Sequence, residues 1–435
     1  PPDDLTVLEE PESDLGYSQL NELLLLFGFD RITSAFFRFL LDGETDYERG
    51  LAFSSADQLR AGIDRFRELA ILLYGNVKFA FKSLSTDDAL LSGALHSLLP
   101  ISQEEFTSRH DPVLSLRDIS PDDAYLTGYL IERELRERLK ANPDDKSAVH
   151  LEECRQNVVA QATANQDAYL ASDHLDVYVA TSMRERHEFS AINRLTSAIF
   201  QDPSLADLKL RWFDPTQAYC PDRIDKGLSE ALMLRRASCT IYLAQESDTL
   251  GKDSELASTL AQGKPVVAFV PEVTDAYVQA HWDGLQESHP KKSEPEILLG
   301  QLAIYDPAAA WSDPIVRGWC DAPLKVDESA LRQRLSNRMK RHYDKRAETL
   351  RESHPLGIQV NLKTGVANGV LVVRTVRDCA RLIRNIVMHQ LEFQLEENDQ
   401  YVALREKISG CVFRVMTRDS MLTNTFWNFY LDPAE

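Results

Sequence analysis

Polar side chains and one aromatic residue that could hold a sugar and its phosphates lie at the ends of several apolar runs in the middle of the chain. They comprise Ser182 and Arg184 after 175–180, Phe213 and Asp214 at the end of 208–214, Asp248 after 239–244, and Ser254 and Glu255 ahead of 265–270. In an open parallel sheet, ligands bind at the carboxyl ends of the strands, where the topology switches. The residues after the first run also open a helix, whose N-terminus favours an anion. We therefore expect carboxylates, hydroxyls and one arginine around a single crevice.

The elements that must position these residues alternate between short apolar runs and amphipathic helices from about residue 171. We predict strands at the segments 175–180, 208–214, 239–244, 265–270 and 301–305. Strands separated by helices indicate a parallel sheet, and fully apolar strands indicate burial on both faces. The sequence thus predicts an α/β domain over 171–320, built on a doubly wound parallel sheet.

The two flanks have a different pattern. Residues 1–170 place apolar residues three and four apart and are predicted to form a helical sensor or interaction domain. Residues 321–435 combine a long basic helix at 331–351, a hairpin within 357–376, and a strand with an aromatic cluster in 411–432, which indicates a small α+β domain. The basic helix face is interpreted as solvated rather than as a phosphate contact.

The composition narrows the function classes. A formal charge of −20 over 435 residues argues against general binding to a nucleic-acid backbone. Six separated cysteines and ten scattered histidines form no metal-ligand spacing, so no metal and no bound cofactor is expected. The acidic start is unlike a signal peptide, and no apolar stretch could span a bilayer, so a cytoplasmic location without membrane contact is expected.

Two segments of the predicted sheet resemble known families. The segment WFDPTQAYCPDRIDKGLSEALMLRRASCTIYLAQ resembles the middle of a TIR domain, and GKDSELASTLAQGKPVVAFV is similar both to TIR domains and to nucleoside deoxyribosyltransferases. The resemblance covers about 174–305 and implies a TIR/flavodoxin-like sheet. It also implies that Glu255, at the start of a helix, is the catalytic carboxylate. The chain departs from many NAD-cleaving TIR domains at Gly251, where they have a tryptophan.

A carboxylate suits cleavage of a ribosyl N-glycosidic bond, because the transition state resembles an oxocarbenium cation. The nicotinamide of NAD+ is already a pyridinium and needs no proton to leave. The base of a neutral nucleoside leaves better when protonated, which requires a second acid. Asp214 and Asp248 are the candidates for that acid.

Each residue also has a structural interpretation. Glu255 could simply stabilise a helix N-terminus, a contribution of about 0.3–1 kcal/mol. Asp214 and Asp248 could form turns, and Arg184 could be an ordinary surface arginine.

Three functions follow from these alternatives. The first, implied by the resemblance, is a gated NAD+ nucleosidase of bacterial anti-phage defence, which takes NAD+ as substrate, forms a homo-oligomer on activation, and receives a partner-protein or nucleic-acid trigger through its flanks. The second is a nucleoside or nucleotide deoxyribosyltransferase-like N-glycosidase. The third is a noncatalytic nucleotide-binding scaffold.

Overall fold

The computed structural model describes residues 15–26, 32–44, 46–75, 106–107, 114–172, 174–246, 249–262, 264–322, 326–352, 359–361, 366–368, 370–388, 390–397, 402–415 and 430–431.

Helices dominate the described part of the first 171 residues. They are α1 (Tyr17–Leu26), α2 (Ser34–Asp42), α3 (Ala56–Gly75), a 3₁₀ turn (Ala124–Thr127), α4 (Tyr129–Ala141) and α5 (Lys146–Ala171). Two short strands, β1 (Leu15–Gly16) and β2 (Ala52–Phe53), pair antiparallel beside α1 to α3. The buried side chains of Phe37 and Phe53 form part of a separate small core there. The helices predicted for this region are thus present where the structure describes it.

The middle of the chain alternates strands and helices as predicted. Its elements are β3 (Leu175–Ala180), α6 (Arg186–Phe200), β4 (Trp212–Phe213), α7 (Arg223–Arg236), β5 (Ala237–Leu243), α8 (Leu250–Ala261), β6 (Val266–Phe269), α9 (Asp275–Ser288), α10 (Glu294–Tyr305), α11 (Ala309–Ser312) and α12 (Pro314–Asp321). The second strand is shorter than the predicted 208–214. Lys209 has a φ of 39°, which is incompatible with extended backbone and delays the strand.

The remaining described elements form a long helix, a shorter helix, a second sheet and one further strand of the parallel sheet. They are α13 (Glu328–Glu352), β7 (Gln359–Asn361), β8 (Val366–Asn368), β9 (Leu371–Val373), α14 (Val376–Val387), β10 (Glu392–Glu397), β11 (Val402–Glu406), β12 (Val412–Val415) and β13 (Tyr430–Leu431). The predicted hairpin is confirmed, because β7 pairs antiparallel with β8. The predicted aromatic cluster falls almost entirely outside the described residues.

The central sheet has five parallel strands in the order β4-β3-β5-β6-β9. Its first four strands are the predicted ones, but the fifth lies at 371–373, beyond the predicted range of 171–320. The prediction of a strand at 301–305 was wrong. These residues end α10, which Ser293 and Glu296 open with a capping box. The apolar run there is buried with helical spacing, as Ile297, Leu298, Gln301, Leu302 and Tyr305.

Helices cover both faces of this sheet, so the α/β architecture is compatible with a doubly wound fold. Val177 and Val179 of β3 belong to the core that also includes Ile192 of α6. The alternate residue, Tyr178, packs instead with Tyr169 of α5 and Met233 of α7. Helix α8 lies on that second face, because the Thr240 hydroxyl lies 2.8 Å from the Thr259 hydroxyl.

The second sheet has the order β13-β10-β11-β12-β8-β7 and is mostly antiparallel. Phe393 and Phe413 of this sheet are buried in the same core as the parallel strands. The C-terminal part therefore supplies both a strand to the central sheet and apolar side chains to its core.

Candidate functional site

Glu255 lies one turn further into α8 than the sequence suggested. The helix begins at Leu250, and the Thr249 side chain accepts a hydrogen bond from the Lys252 N–H, so residues 251–254 are helical rather than a loop. The acidic residue in the first turn is Asp253. Because the helix-terminus effect fades within one turn, a favourable interaction with the N-terminus explains Asp253 better than Glu255.

The two oxygens of the Glu255 carboxyl group have different surroundings. The Tyr178 hydroxyl donates a hydrogen bond of 2.9 Å to Oε1. Oε2 is shielded from solvent and has no hydrogen-bond partner among the residues that the structure describes. Such buried acceptors are uncommon, because an unsatisfied polar atom costs about 1–3 kcal/mol. Oε2 is therefore the one acceptor of this group that remains available to a ligand.

An aromatic surface lies beside this carboxyl group. The ring of Phe213 stacks on Tyr178 with centroids 5.1 Å apart and an interplanar angle of 25°. The two residues are register partners in the adjacent strands β4 and β3, which places their side chains on the same face. Tyr169 of α5 contacts the edge of Phe213 from the other side. The sequence-predicted Phe213 is thus brought next to Glu255 through Tyr178.

Burial and, to a lesser extent, the nearby charge of Glu230 raise the pKa of Glu255 to about 8, against the lowering effect of the Tyr178 hydrogen bond, Lys226 and Lys252. Desolvation disfavours the charged form of any buried carboxyl group. In the unliganded protein at pH 7, Glu255 consequently holds its proton. A cation placed next to it would favour ionisation.

Glu230 is the nearby carboxyl group that the sequence did not reveal. It lies on α7, where Lys226 forms an ion pair with it at 3.7 Å, and burial raises its pKa. Residue 230 is in the middle of a helix, far from any strand end, so the rule that selected the other candidates could not select it. The spacing of Lys226 and Glu230 marks an ordinary helix pair. Only the packing of α7 against β3 and α8 brings its charge to Glu255.

Lys252 is a second residue that sequence reasoning missed. Its side chain is buried at 1 % exposure, its Nζ atom donates to the Leu243 carbonyl at 3.0 Å, and it lies 4.8 Å from the centre of the Tyr242 ring. A lysine is rarely so buried unless its charge is compensated. This one fixes the first turn of α8 to the end of β5 and adds a positive charge near Glu255.

Asp214 has a local structural role. Its Oδ1 atom accepts hydrogen bonds from the Thr216 N–H at 2.8 Å and the Thr216 hydroxyl at 2.7 Å. Burial raises the pKa of Asp214 to about 6. The geometry corresponds to the turn-forming alternative, since Asp side chains commonly bond the backbone two residues ahead.

Ser182 lies at the crevice between β3 and β5, but a glutamine occupies its polar atoms. The Gln245 Oε1 atom accepts hydrogen bonds of 2.8 Å from both the Ser182 N–H and the Thr181 hydroxyl. Gln245 therefore bridges the loops after the two strands at which the strand order switches.

The other predicted substrate-binding residues are not brought to Glu255 by any described contact. Arg184 is exposed, and its N–H donates to a carboxylate oxygen of Glu188. Ser254 is exposed, and its hydroxyl donates to the Leu250 carbonyl within the same helix. Asp248 lies outside the described residues.

A second carboxyl group that is partly buried, Glu246, lies three residues after the end of β5. One of its oxygens lies 3.8 Å from Nε2 of His281, which is also 3.1 Å from the Gln301 amide oxygen. Burial raises the pKa of Glu246 to about 7 and lowers the pKa of His281. Across the described ranges, no group of three or more His, Cys, Asp or Glu residues could hold a metal ion, and no helix is both long and apolar enough to cross a membrane.

Comparison of the chain with protein-family models, with curated proteins and with solved structures gave no match, so the resemblance to TIR domains and deoxyribosyltransferases rests on the two sequence segments alone.

Proposed function

We propose that the protein is an N-glycosidase that hydrolyses the bond between nicotinamide and ribose in NAD+, with Glu255 as its catalytic carboxylate. The observation that carries the proposal is the buried Oε2 atom of Glu255, which lacks a hydrogen-bond partner among the described residues, beside the stacked rings of Tyr178 and Phe213. An unpaired acceptor next to an apolar aromatic surface suits a ribose that carries a flat base.

The chemistry requires an anion close to the developing positive charge on the ribosyl carbon. Nicotinamide leaves with the electron pair of the glycosidic bond and becomes neutral, water adds to the ribosyl carbon, and one proton is released. The Tyr178 hydroxyl holds Oε1, so that Oε2 is the oxygen directed to the sugar. The pyridinium charge of NAD+ favours ionisation of Glu255, which offsets the effect of burial on its pKa.

The fold and the resemblance support this proposal. Numbered along the chain, the strands of the central sheet run in the order second, first, third, fourth, fifth, which is the flavodoxin-like order that the resemblance to TIR domains implies. In that reading the NAD+ nucleosidase is a cytoplasmic, gated effector of bacterial anti-phage defence. Its homo-oligomer forms on activation, and a partner protein or a nucleic acid acts on the flanking regions.

The solvent-shielded position of Oε2 accords with gating. Glu255 belongs to α8 and is bonded to Tyr178 of β3, so we propose that a substrate reaches this atom when α8 moves relative to β3. An activator that promotes this movement would switch on the enzyme.

The experiment follows free nicotinamide by chromatography after incubation of NAD+ with the wild-type protein and with Glu255→Gln. A matched control is Glu287→Gln, which changes an exposed carboxylate on α9. The assay is repeated with concentrated protein and with added phage nucleic acids, because a gated enzyme is active only with its activator. Nicotinamide release that Glu255→Gln retains in full would contradict the assignment.

A second candidate function, cleavage of neutral nucleosides or nucleotides, is favoured by one observation. Glu230 supplies a second carboxyl group whose charge acts on Glu255, and a neutral base needs such an acid to leave. The deoxyribosyltransferase-like pattern at Gly251 agrees with it. Release of a free purine or pyrimidine from deoxynucleosides by the wild type, and its loss in Glu230→Gln, would support this function over the first.

A further inference from the structure

The long helix α13 is anchored firmly against the body of the protein. Its inner side consists of the buried residues Leu331, Leu335, Met339, Tyr343, Ala347 and Leu350. The helix packs against α10 and β9. Arg346 directly precedes Ala347 in this anchored part of the helix, so its side chain extends from a fixed support.

Arg346 contacts the end of β5 at two points. Its Nη1 atom donates a hydrogen bond of 2.7 Å to the Gln245 carbonyl oxygen, and its Nη2 atom donates one of 3.1 Å to the Tyr242 hydroxyl oxygen. A guanidinium group is planar and rigid, so two simultaneous bonds fix direction as well as distance. The end of β5 is thereby held in one orientation relative to α13.

The Tyr242 hydroxyl continues this contact into the helix that carries Glu255. It donates a hydrogen bond of 3.0 Å to Oδ1 of Asp253, in the first turn of α8. Tyr242 itself is buried at 3 % exposure. The first turn of α8 therefore has a hydrogen-bonded connection to α13 through one hydroxyl group.

The Gln245 backbone and side chain are held from opposite directions. Arg346 binds its carbonyl oxygen, whereas its side-chain oxygen accepts hydrogen bonds from Thr181 and Ser182 after β3. Loss of the Arg346 bond would leave the Gln245 side chain held by the loop after β3 and by Lys252, but would release its carbonyl oxygen from α13. Arg346 is thus connected through Gln245 to the loop after β3, and through Tyr242 to the first turn of α8.

The geometry points to Arg346 as a positioning residue that holds the end of β5 and the first turn of α8 in place, and thereby sets the placement of Glu255. This inference rests on the proposed function for its effect on catalysis, but the structural part can be measured without any activity. It also makes α13 the element through which a change in the C-terminal region would reach the site.

Hydrogen exchange of the full-length protein tests the structural part. In Arg346→Ala, backbone amides in residues 243–246 and 250–256 are expected to exchange about tenfold faster than in the wild type, as local opening becomes easier. Arg346→Lys keeps the charge but not the two-pronged geometry, so we expect an intermediate rate. Tyr242→Phe removes the bond from Arg346 Nη2 and the bond to Asp253 but keeps the Arg346 bond to the Gln245 carbonyl, so it is expected to accelerate exchange in 250–256 more than in 243–246.

The matched control is Arg338→Ala. Arg338 lies on the same helix and pairs with Asp306 at 2.9 Å, without a described bond to either strand end. Its replacement is expected to leave exchange in both segments at the wild-type rate. The melting temperatures of the variants establish that all are folded.

Kinetics on NAD+ tests the catalytic part. A displacement of about 1 Å at a reacting group can cost about 100-fold, so Arg346→Ala is expected to lower kcat by about 10- to 100-fold and to change KM by less than about threefold. Unchanged exchange in both segments of folded Arg346→Ala would overturn the inference, as would an unchanged kcat. A wild-type protein that cleaves no NAD+ would refute the proposed function instead, and the exchange experiment would still decide the role of Arg346.

Discussion

Glu255 and Glu246 are two buried carboxyl groups on either side of the start of α8, and their surroundings differ. Burial raises both pKa values, to about 8 and about 7. Glu246 lies among polar groups of the neighbouring helices α9 and α10, including His281. The carboxyl group of Glu255 accepts a hydrogen bond from Tyr178 at Oε1, and its Oε2 atom has no partner in the described part of the chain.

The difference shows that a carboxyl group can be shielded from water without having an oxygen that is available to a ligand. A raised pKa by itself arises wherever a carboxyl group loses water, so it does not distinguish a reactive group from a structural one. In Glu255, the bond from Tyr178 to Oε1 holds the carboxyl group in place, while Oε2 has no hydrogen-bond partner among the described residues. Oε2 is therefore available to a ligand. We therefore assign the chemistry to Glu255 and a structural role in packing the helices to Glu246.

Replacement of each of the two glutamates should affect NAD+ cleavage to very different extents. Glu255→Gln should lower NAD+ cleavage by about 10²–10³-fold, because it removes the charge that stabilises the transition state. Glu246→Gln should lower it by less than threefold. Initial rates of nicotinamide release measure both variants, and a loss of equal size in the two would remove the distinction between the sites.

The pH dependence of kcat/KM tests whether Glu255 is the group that must ionise. Glu255 must be ionised to act, and its pKa is about 8, so kcat/KM should rise about tenfold per pH unit from pH 6 until it levels off near pH 8. Glu230→Gln removes a charge that raises this pKa, so its profile should level off at a lower pH. A profile of the wild type that is already flat at pH 6 would show that Glu255 is ionised there.

The effect of pH on stability provides a test that needs no substrate. The pKa of Glu255 is about 8 in the folded protein against an ordinary value of 4.5, so the folded state retains a proton that the unfolded state loses between these limits. The free energy of unfolding therefore falls as the pH rises through this window, by a total on the order of 5 kcal/mol.

In Glu255→Gln, residue 255 cannot titrate, so this fall in the free energy of unfolding is absent. We expect the variant to gain stability relative to the wild type between pH 5 and pH 8.5, whereas the control Glu287→Gln should follow the wild type. Denaturant unfolding at the two pH values measures the difference. Parallel changes in Glu255→Gln and the wild type would mean that Glu255 is not buried as described.

The smallest expected effect concerns Tyr178. Tyr178→Phe removes the single hydrogen bond to Glu255, a change of about 1 kcal/mol, and should reduce NAD+ cleavage by about fivefold to tenfold. Since this bond lowers the pKa of Glu255, the pH at which activity levels off should also rise. The shift separates a role on the carboxyl group from a general loss of packing, which would lower activity without moving the profile.

Much of the fold followed from local patterns. The run at 175–180 coincides with β3, and the runs at 239–244 and 265–270 lie within two residues of β5 and β6. The prediction of a strand at 301–305 was wrong because the spacing of this apolar run fits a helix as well as a strand. The helix that begins with the capping box at Ser293 continues through the run. Apolar spacing alone is also insufficient in α7, where Ile224 and Leu228 lie one turn apart but are exposed at 75 % and 67 %.

Of the candidate site, the sequence determined Glu255, its helix and the neighbouring Phe213, because strand ends and helix starts are encoded by adjacent residues. Only the tertiary structure placed Tyr178 against Glu255, since the two are separated by 77 positions, and only it brought in Glu230 and Arg346. The fifth strand was likewise decided by parallel pairing of β9 with β6, across more than a hundred residues. Contacts between distant segments depend on how complete faces pack, and no local pattern of residues specifies that.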